Sequence, residues 1–333
     1  MFRILSIDGG GIRGVIPGTL LRRIEERTGQ PISALFDLIV GTSTGGILAA
    51  GLAIPGDGGA PKLSARQMGD LYAERGKEIF QRSFWRGITS LRGASDEKYS
   101  HQPLEKLLNE YVGDARLADT IVPIVVTSYD IERREPYFFK TRQAMRDPRR
   151  NHLIRQVARA TSAAPTYFEP ALVSSFDDDP TCRVLVDGGV FANNPAMCAY
   201  VEACTMGHDS SDIVVVSLGT GIATREIPYE DARDWGALGW VQPIISVMMD
   251  GVADSAHYQL RQLLPDALQG DAQRYFRFDK HLTLALDDMD AAHAGNILNL
   301  QLEAEAILER QAAEFERMLD LLSAPAPAAP PSA

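Results

Sequence analysis

Cysteine is scarce: the 333-residue chain holds three, Cys182, Cys198 and Cys204. Their spacing matches neither CxxC nor a zinc site, so no disulfide framework or structural zinc is expected, and a reducing compartment such as the cytoplasm suits the chain. Long apolar runs are missing too. Nothing approaches the ~18 to 20 residues needed to span a bilayer, and the N-terminus opens on a strand pattern instead of a signal peptide. Contact with the inner face of a membrane would therefore be peripheral. Positive charge is in deficit, with 33 Lys and Arg against 44 Asp and Glu for a net charge of −11. No block of ~5 or more like charges stands out, which argues against a nucleic-acid polymer as partner. With 45% hydrophobic residues, the chain can still bury one large core.

Glycine is plentiful and clustered. Phe2-Arg3-Ile4-Leu5-Ser6-Ile7 alternates as a strand and ends in Asp8-Gly9-Gly10-Gly11-Ile12-Arg13-Gly14. Leu20, Leu21 and Ile24 then recur at helical spacing up to a stop at Gly29. Strand, glycine loop and helix have two uses. Gly9, Gly11 and Gly14 fit the dinucleotide fingerprint, but that motif wants an acid ~20 residues on, at the end of the second strand. Here that strand ends in Gly41-Thr42-Ser43 and Asp37 stands at its start. The other use is an oxyanion hole, in which successive backbone N–H groups form an anion-binding nest facing a neighbouring strand end. Arg13 would either meet an anionic group there or hold the loop by a salt bridge.

The apolar run Phe36 to Val40, then Gly41-Thr42-Ser43-Thr44-Gly45, then Gly46-Ile47-Leu48-Ala49-Ala50 reads as strand, tight turn and helix. A GxSxG turn in that setting is a nucleophile elbow, whose glycines let the backbone pass without Cβ clashes. Ser43 would stand at a strained bend before a helix N-terminus, where unpaired N–H groups and the helix dipole favour developing negative charge. A serine nucleophile also needs a base. His208, His257, His281 and His293 follow late enough for the order Ser, Asp, His, yet none has neighbours that would expose an imidazole beside Ser43. Asp187 is better placed. It ends the strand Arg183-Val184-Leu185-Val186, has Gly188 and Gly189 behind it, and precedes a Pro195 suited to the first turn of a helix running to Cys204. Active groups gather at the carboxyl ends of strands in parallel α/β sheets, and a carboxylate can act as the base if burial raises its pKa. A Ser43–Asp187 dyad is expected; an Asp that only caps its turn is the alternative.

Leu63, Ser64, Gln67 and Met68 spell a capping box with a hydrophobic staple, opening a helix that runs through Ile79. From Phe80 to Arg92, aromatics alternate with arginines, as suits either a membrane headgroup boundary or a core edge. Leu104 to Val112 and Leu153 to Ala160 read as helices, Ile121 to Tyr129 and Ile213 to Leu218 as buried strands, and Tyr137 to Phe139 as a short strand. Tyr229 to Leu264, rich in Trp and Met, would be a cap over an apolar pocket or part of the core. Leu308, Ala312, Phe315, Leu319 and Leu322 predict one amphipathic helix that docks on the domain or on a second subunit, before a disordered Ala/Pro tail over 323–333.

Four ordered motifs, Asp8 to Gly14 (DGGGIRG), Gly41 to Gly45 (GTSTG), Ala160 to Phe168 (ATSAAPTYF) and Asp187 to Pro195 (DGGVFANNP), resemble those of the patatin-like phospholipases. The resemblance covers 2–221. It implies a patatin-like three-layer α/β/α fold around a central, mostly parallel sheet; length makes 1–322 one catalytic domain, of which 222–322 matches no motif and reads as a cap or regulatory part. It further implies the Ser43–Asp187 dyad, an oxyanion hole from the amides of Gly9, Gly10, Gly11 and Thr44, and hydrolysis of the fatty-acyl esters of membrane phospholipids without metal or organic cofactor. The Asp8 to Ala50 stretch is similar to short bacterial members that serve as anti-phage effectors, which implies a cyclic-nucleotide activator; the part after Gly221 would then respond by changing assembly as a homo-oligomer, and a constitutive lipase limited by access to membrane is the alternative. Two rivals stay open: an acyltransferase using the same dyad, and a non-enzymatic nucleotide-binding module built on Gly9 to Gly14.

Overall fold

Alternation along the strands sets the layering. In β1 (Phe2–Ile7), Phe2 and Ile4 enter one apolar core while Leu5 and Ile7 enter the other. β2 (Leu38–Thr42) repeats this, with Leu38 and Val40 against Ile39. A sheet that is apolar on both faces must be covered on both. In the computed structural model, which describes residues 1–79, 99–174, 182–264 and 273–323, helices cover each side. Val15–Thr28, Thr44–Leu52, Ala65–Ile79, Gln102–Val112 and Ile154–Thr161 close the larger core. Ala196–Thr205 and the end of Ala237–Leu263 close the smaller. The fold is thus the expected α/β/α arrangement. The aromatic and arginine stretch from Phe80 to Arg92, the acidic run Asp177 to Asp179 and the Ala/Pro stretch after Ser323 lie outside the described residues.

The remaining strands are β3 (Ile124–Asp130), β4 (Glu135–Lys140), β5 (Ala171–Val173), β6 (Arg183–Asp187), β7 (Ile213–Leu218) and β8 (Tyr275–Phe278). They complete an eight-stranded sheet of order β5-β6-β3-β2-β1-β7-β8, with β4 paired to β3. β1, β2, β3, β7 and β8 pair in parallel, whereas β4 and β6 run against β3. β4 lines β3 from Val125 to Asp130, so β2 and β6 share the opposite edge of β3. There Thr42 is opposite Thr127, and Asp187 is opposite Ser128. The two strands therefore meet head to head, and the residue after Thr42 arrives beside Asp187.

The C-terminal part departs from the single helix predicted from Leu308 to Leu322. Two helices form, Ala294–Arg310 and Ala312–Ser323, broken at Gln311 with φ −109° and ψ 26°. Gln311 leaves the helix to donate from Nε2 to the Arg277 carbonyl of β8 at 2.8 Å. Both helices dock on Val15–Thr28 of the same chain, through Arg23–Glu305 and Arg27–Glu316 ion pairs of 2.7 Å each. At the other end of the chain, the capping box forms as expected: Ser64 N donates to Gln67 Oε1 at 2.9 Å and Gln67 N to Ser64 Oγ at 3.3 Å. Among the described residues, no helix is long and apolar enough to cross a membrane.

Glu303 ties the first C-terminal helix to the loop after β8. Its carboxylate is buried, pairs with Lys280 Nζ at 2.5 Å and accepts the backbone N–H groups of Thr283 and Leu284, each at 2.5 Å. Burial alone would raise its pKa, but Lys280 and these donors outweigh it and hold the group at about 2 against an ordinary 4.5. The stability this contributes is present above pH 4.5 and is lost as pH falls toward 2. Glu303→Ala leaves Lys280 unpaired and should cost about 3 kcal/mol at neutral pH, read by urea denaturation. The deficit should shrink at low pH.

Candidate active site

Ser43 follows β2 and precedes the helix Thr44–Leu52, with φ 54° and ψ −122°. A positive φ costs a non-glycine residue about 1–3 kcal/mol and persists only where its surroundings impose it. Two glycines do so here. A Cβ on Gly41 would lie 2.2 Å from the Gly45 carbonyl oxygen, and one on Gly45 would lie 2.1 Å from that of Ile7. The Ser43 N–H donates to Thr161 Oγ1 at 2.8 Å, and the Thr161 hydroxyl donates on to the Thr127 carbonyl at 2.7 Å. Two residues later, the Ala163 carbonyl accepts the Asp187 N–H at 3.0 Å. The segment from Ala160 to Phe168, which shows no reactive group in sequence, thus fixes the backbones of both Ser43 and Asp187.

Asp187 is 1% exposed. Its Oδ1 accepts the Gly189 N–H at 2.7 Å, while Oδ2 is buried without a hydrogen bond of normal geometry. Burial dominates its titration and raises the carboxyl from 3.8 to about 7, against the smaller lowering effects of the Ser43 hydroxyl and the Gly189 amide. No histidine lines the cavity at Ser43. His257 Nδ1 bonds the Tyr275 hydroxyl at 2.9 Å, His293 Nδ1 accepts the Asn296 N–H at 3.1 Å as a helix cap, and His208 stacks on Phe2.

The glycine loop faces the elbow from β1. Among the described residues, the N–H groups of Gly10, Gly11 and Thr44 donate to no protein acceptor. Gly9 differs from the expectation: its N–H is committed to the Asn193 carbonyl at 3.0 Å. It serves as a spacer instead, since a Cβ there would lie 2.4 Å from Asn193 Oδ1 and 3.2 Å from Ser43 Cβ. Arg13 takes the loop-holding part, although with carbonyls and not a carboxylate. Its Nε donates to Gly10 O at 3.4 Å and its Nη1 to Gly221 O at 3.1 Å.

Next to Ser43, Gly11 and Thr44 lies an apolar cavity walled by Ile47, Tyr72, Leu104, Phe168 and Met289. Among the described residues of Tyr229 to Leu264, the stretch read as a cap, none is part of that wall. Instead that stretch forms the helices Tyr229–Ala232 and Ala237–Leu263, and its Met249 packs beside Gly189. No cluster of metal-ligating side chains occurs among the described residues.

The family described as Patatin-like phospholipase matches residues 5–200 of this chain. The chain belongs to that family. Patatin-like protein 1 of Arabidopsis thaliana is 33% identical over 340 residues, covering 92% of this chain and 81% of that protein. Patatin-like protein 2 of Oryza sativa subsp. indica is 32% identical, covering 95% and 86%. These alignments run past Gly221, where the sequence motifs stop, so this patatin-like hydrolase shares its C-terminal part with them as well. The solved structure of VipD from Legionella pneumophila aligns over 93% of this chain and 67% of its own, at 13% identity and a TM-score of 0.41.

Thr161→Val keeps the shape of the side chain but strips the acceptor from Ser43 N–H and the donor from Thr127 O. A buried group left unpaired costs about 1–3 kcal/mol, so thermal unfolding of this variant should move down by a corresponding amount. Labelling of Ser43 by a fluorophosphonate probe should slow as the elbow loosens; an unchanged labelling rate would show that the elbow holds its shape without Thr161.

Proposed function

We propose that this patatin-like enzyme hydrolyses fatty-acyl esters of phospholipids through Ser43 and Asp187. The observation that carries this reading is one arrangement: a serine on a positive-φ elbow, a buried carboxyl raised to about 7 beside it, and unpaired amides of the glycine loop and helix start alongside. In the first half-reaction, Asp187 takes the Ser43 hydroxyl proton as Oγ bonds the ester carbonyl carbon. The carbonyl oxygen becomes an oxyanion that accepts from Gly10, Gly11 and Thr44, at the positive end of the helix dipole. Collapse expels the alcohol of the lysolipid, which receives the proton from Asp187. Water then attacks the acyl-serine and gives its proton to Asp187, and Ser43 regains a proton as the fatty acid leaves. The apolar cavity beside Ser43 takes the acyl chain.

The acyltransferase reading needs the same first half and differs only in the acceptor. Against the nucleotide-binding module stands the packing of the second glycine of the pattern, the one a pyrophosphate would approach: a Cβ on Gly11 would lie 2.3 Å from the Met289 carbonyl oxygen. Peripheral membrane contact, a homo-oligomer and a cyclic-nucleotide activator belong to this reading as its outer parts, the activator carried by the sequence resemblance.

Ser43→Ala and Asp187→Asn should each lower ester hydrolysis by about a thousandfold or more, and the double variant should be little worse, because both serve one proton transfer. The base works when ionised, so the rate should rise with pH, with a midpoint near 7, and level off above it. Products from mixed phospholipid vesicles, analysed by mass spectrometry with and without added acyl acceptors, separate hydrolase from transferase. Adding cyclic di- and trinucleotides while following molecular mass by light scattering tests activation and assembly. A folded Asp187→Asn enzyme with near-normal turnover would rule out the dyad.

A further inference from the structure

The glycine loop is anchored by groups from the far end of the chain. Asp8, at the end of β1, is 2% exposed, and its Oδ2 accepts from Arg277 Nη2 at 2.6 Å. Arg277 stands on β8, two strands away. Its register partner is Ser217 of the intervening β7, whose partner in turn is Ser6, so the guanidinium must cross β7 to reach Asp8. On the way Nη1 donates to Ser217 Oγ at 2.8 Å, and Nη2 also pairs with Asp279 Oδ2 at 2.6 Å. Asp279 Oδ1 accepts the Gly221 N–H at 3.0 Å. The chain of contacts then returns to the loop, because the Gly221 carbonyl holds Arg13, which holds Gly10, and the Thr220 hydroxyl donates to the Gly9 carbonyl at 2.7 Å.

We infer that Arg277, clamped between Asp8 and Asp279, is a positioning residue that holds the Gly10 and Gly11 amides in line with Ser43. The inference rests on the oxyanion-hole reading above. Arg277 touches neither Ser43 nor its cavity, so its action runs through the loop. Three features set the clamp apart from an ordinary structural ion pair. It grips the residue just before the loop, it closes a ring through Gly221 and Arg13 back onto Gly10, and it is largely removed from water, where removal of one partner leaves a buried charge. Burial raises Asp8 to about 6, while Arg277 restrains the rise and Asp279 adds to it. Asp8 is therefore ionised at neutral pH.

The experiment compares Arg277→Met, Arg277→Lys and the double variant Asp8→Asn/Arg277→Met in the full chain. Wild type and Ser43→Ala on a soluble p-nitrophenyl ester first establish that hydrolysis belongs to this site; failure there strikes the proposed function and not the clamp. Arg277→Met should lower kcat by about a hundredfold, the scale of losing an oxyanion donor, with KM within about twofold. Arg277→Lys keeps the charge but loses the fork that spans Asp8, Ser217 and Asp279, and should recover part of kcat. In the double variant the charge at Asp8 is gone and Asp279 alone loses its ion partner, so thermal stability should recover in part while kcat stays low. Hydrogen exchange reads the loop without any substrate. The Gly9 and Ile12 amides, bonded to Asn193 and Met289 carbonyls in the native chain, should exchange faster in Arg277→Met while the amides of β2 and β3 do not. Stability and kcat moving together across the variants, or unchanged exchange at Gly9 and Ile12 in a folded Arg277→Met, would overturn the inference.

Discussion

The site depends on backbones packed closer than side chains would allow. Gly45 sits against the Ile7 carbonyl, and Gly14 against Thr44 Oγ1, in each case where a Cβ would come within 2.1 Å. These contacts press the start of the helix after Ser43 onto the loop after β1. On the proposed mechanism, the N–H groups of Gly10, Gly11 and Thr44, from two separate turns, serve one oxyanion. Leaving such donors unpaired is unfavourable in isolation, because each has forgone a partner. The positive φ of Ser43 adds to that cost. Bonds made by their neighbours, such as Thr161 to Ser43 and Asn193 to Gly9, offset it at about 0.5–1.5 kcal/mol each and leave these donors free for an anion.

Two buried aspartates belong to this region, and the fold treats them differently. Asp8 has a guanidinium at 2.6 Å. Asp187 has only a serine hydroxyl and a glycine amide, so burial prevails and carries it up to about 7. A cation beside Asp187 would drop its pKa and make it a poor acceptor for a serine proton. Arg13, on the neighbouring loop, has its guanidinium engaged by the carbonyls of Gly10 and Gly221. Burial thus raises both carboxyls, and the guanidinium beside Asp8 restrains its rise.

Much of this was legible in the chain. The alternation of Phe2 to Ile7, the GxSxG turn and the two glycine-bearing strand ends announce a sheet with chemistry at its carboxyl edge, because those signals are local and periodic. The helix break at Gln311 was not, since it arises from a bond to β8 and the apolar spacing continues through it. Nor was Gly9's commitment to Asn193, which pairs positions that only the fold brings together. Thr161 and Arg277 were missed for a related reason. Hydroxyl and guanidinium groups carry no pattern of their own, and their parts depend on contacts 118 and 269 residues away.

Those separations have a consequence in time. Ser43, Thr161 and Asp187 are all synthesised before Thr220, Arg277 and Met289. A growing chain therefore carries Ser43 and Asp187 while the glycine loop lacks Thr220, the β8 guanidinium and the Met289 carbonyl as anchors. Closing so long a loop is among the later and slower events of folding. The contacts that hold the glycine loop to β7 and β8 therefore require the last strand of the sheet, so on the proposed mechanism a half-made chain lacks an assembled site.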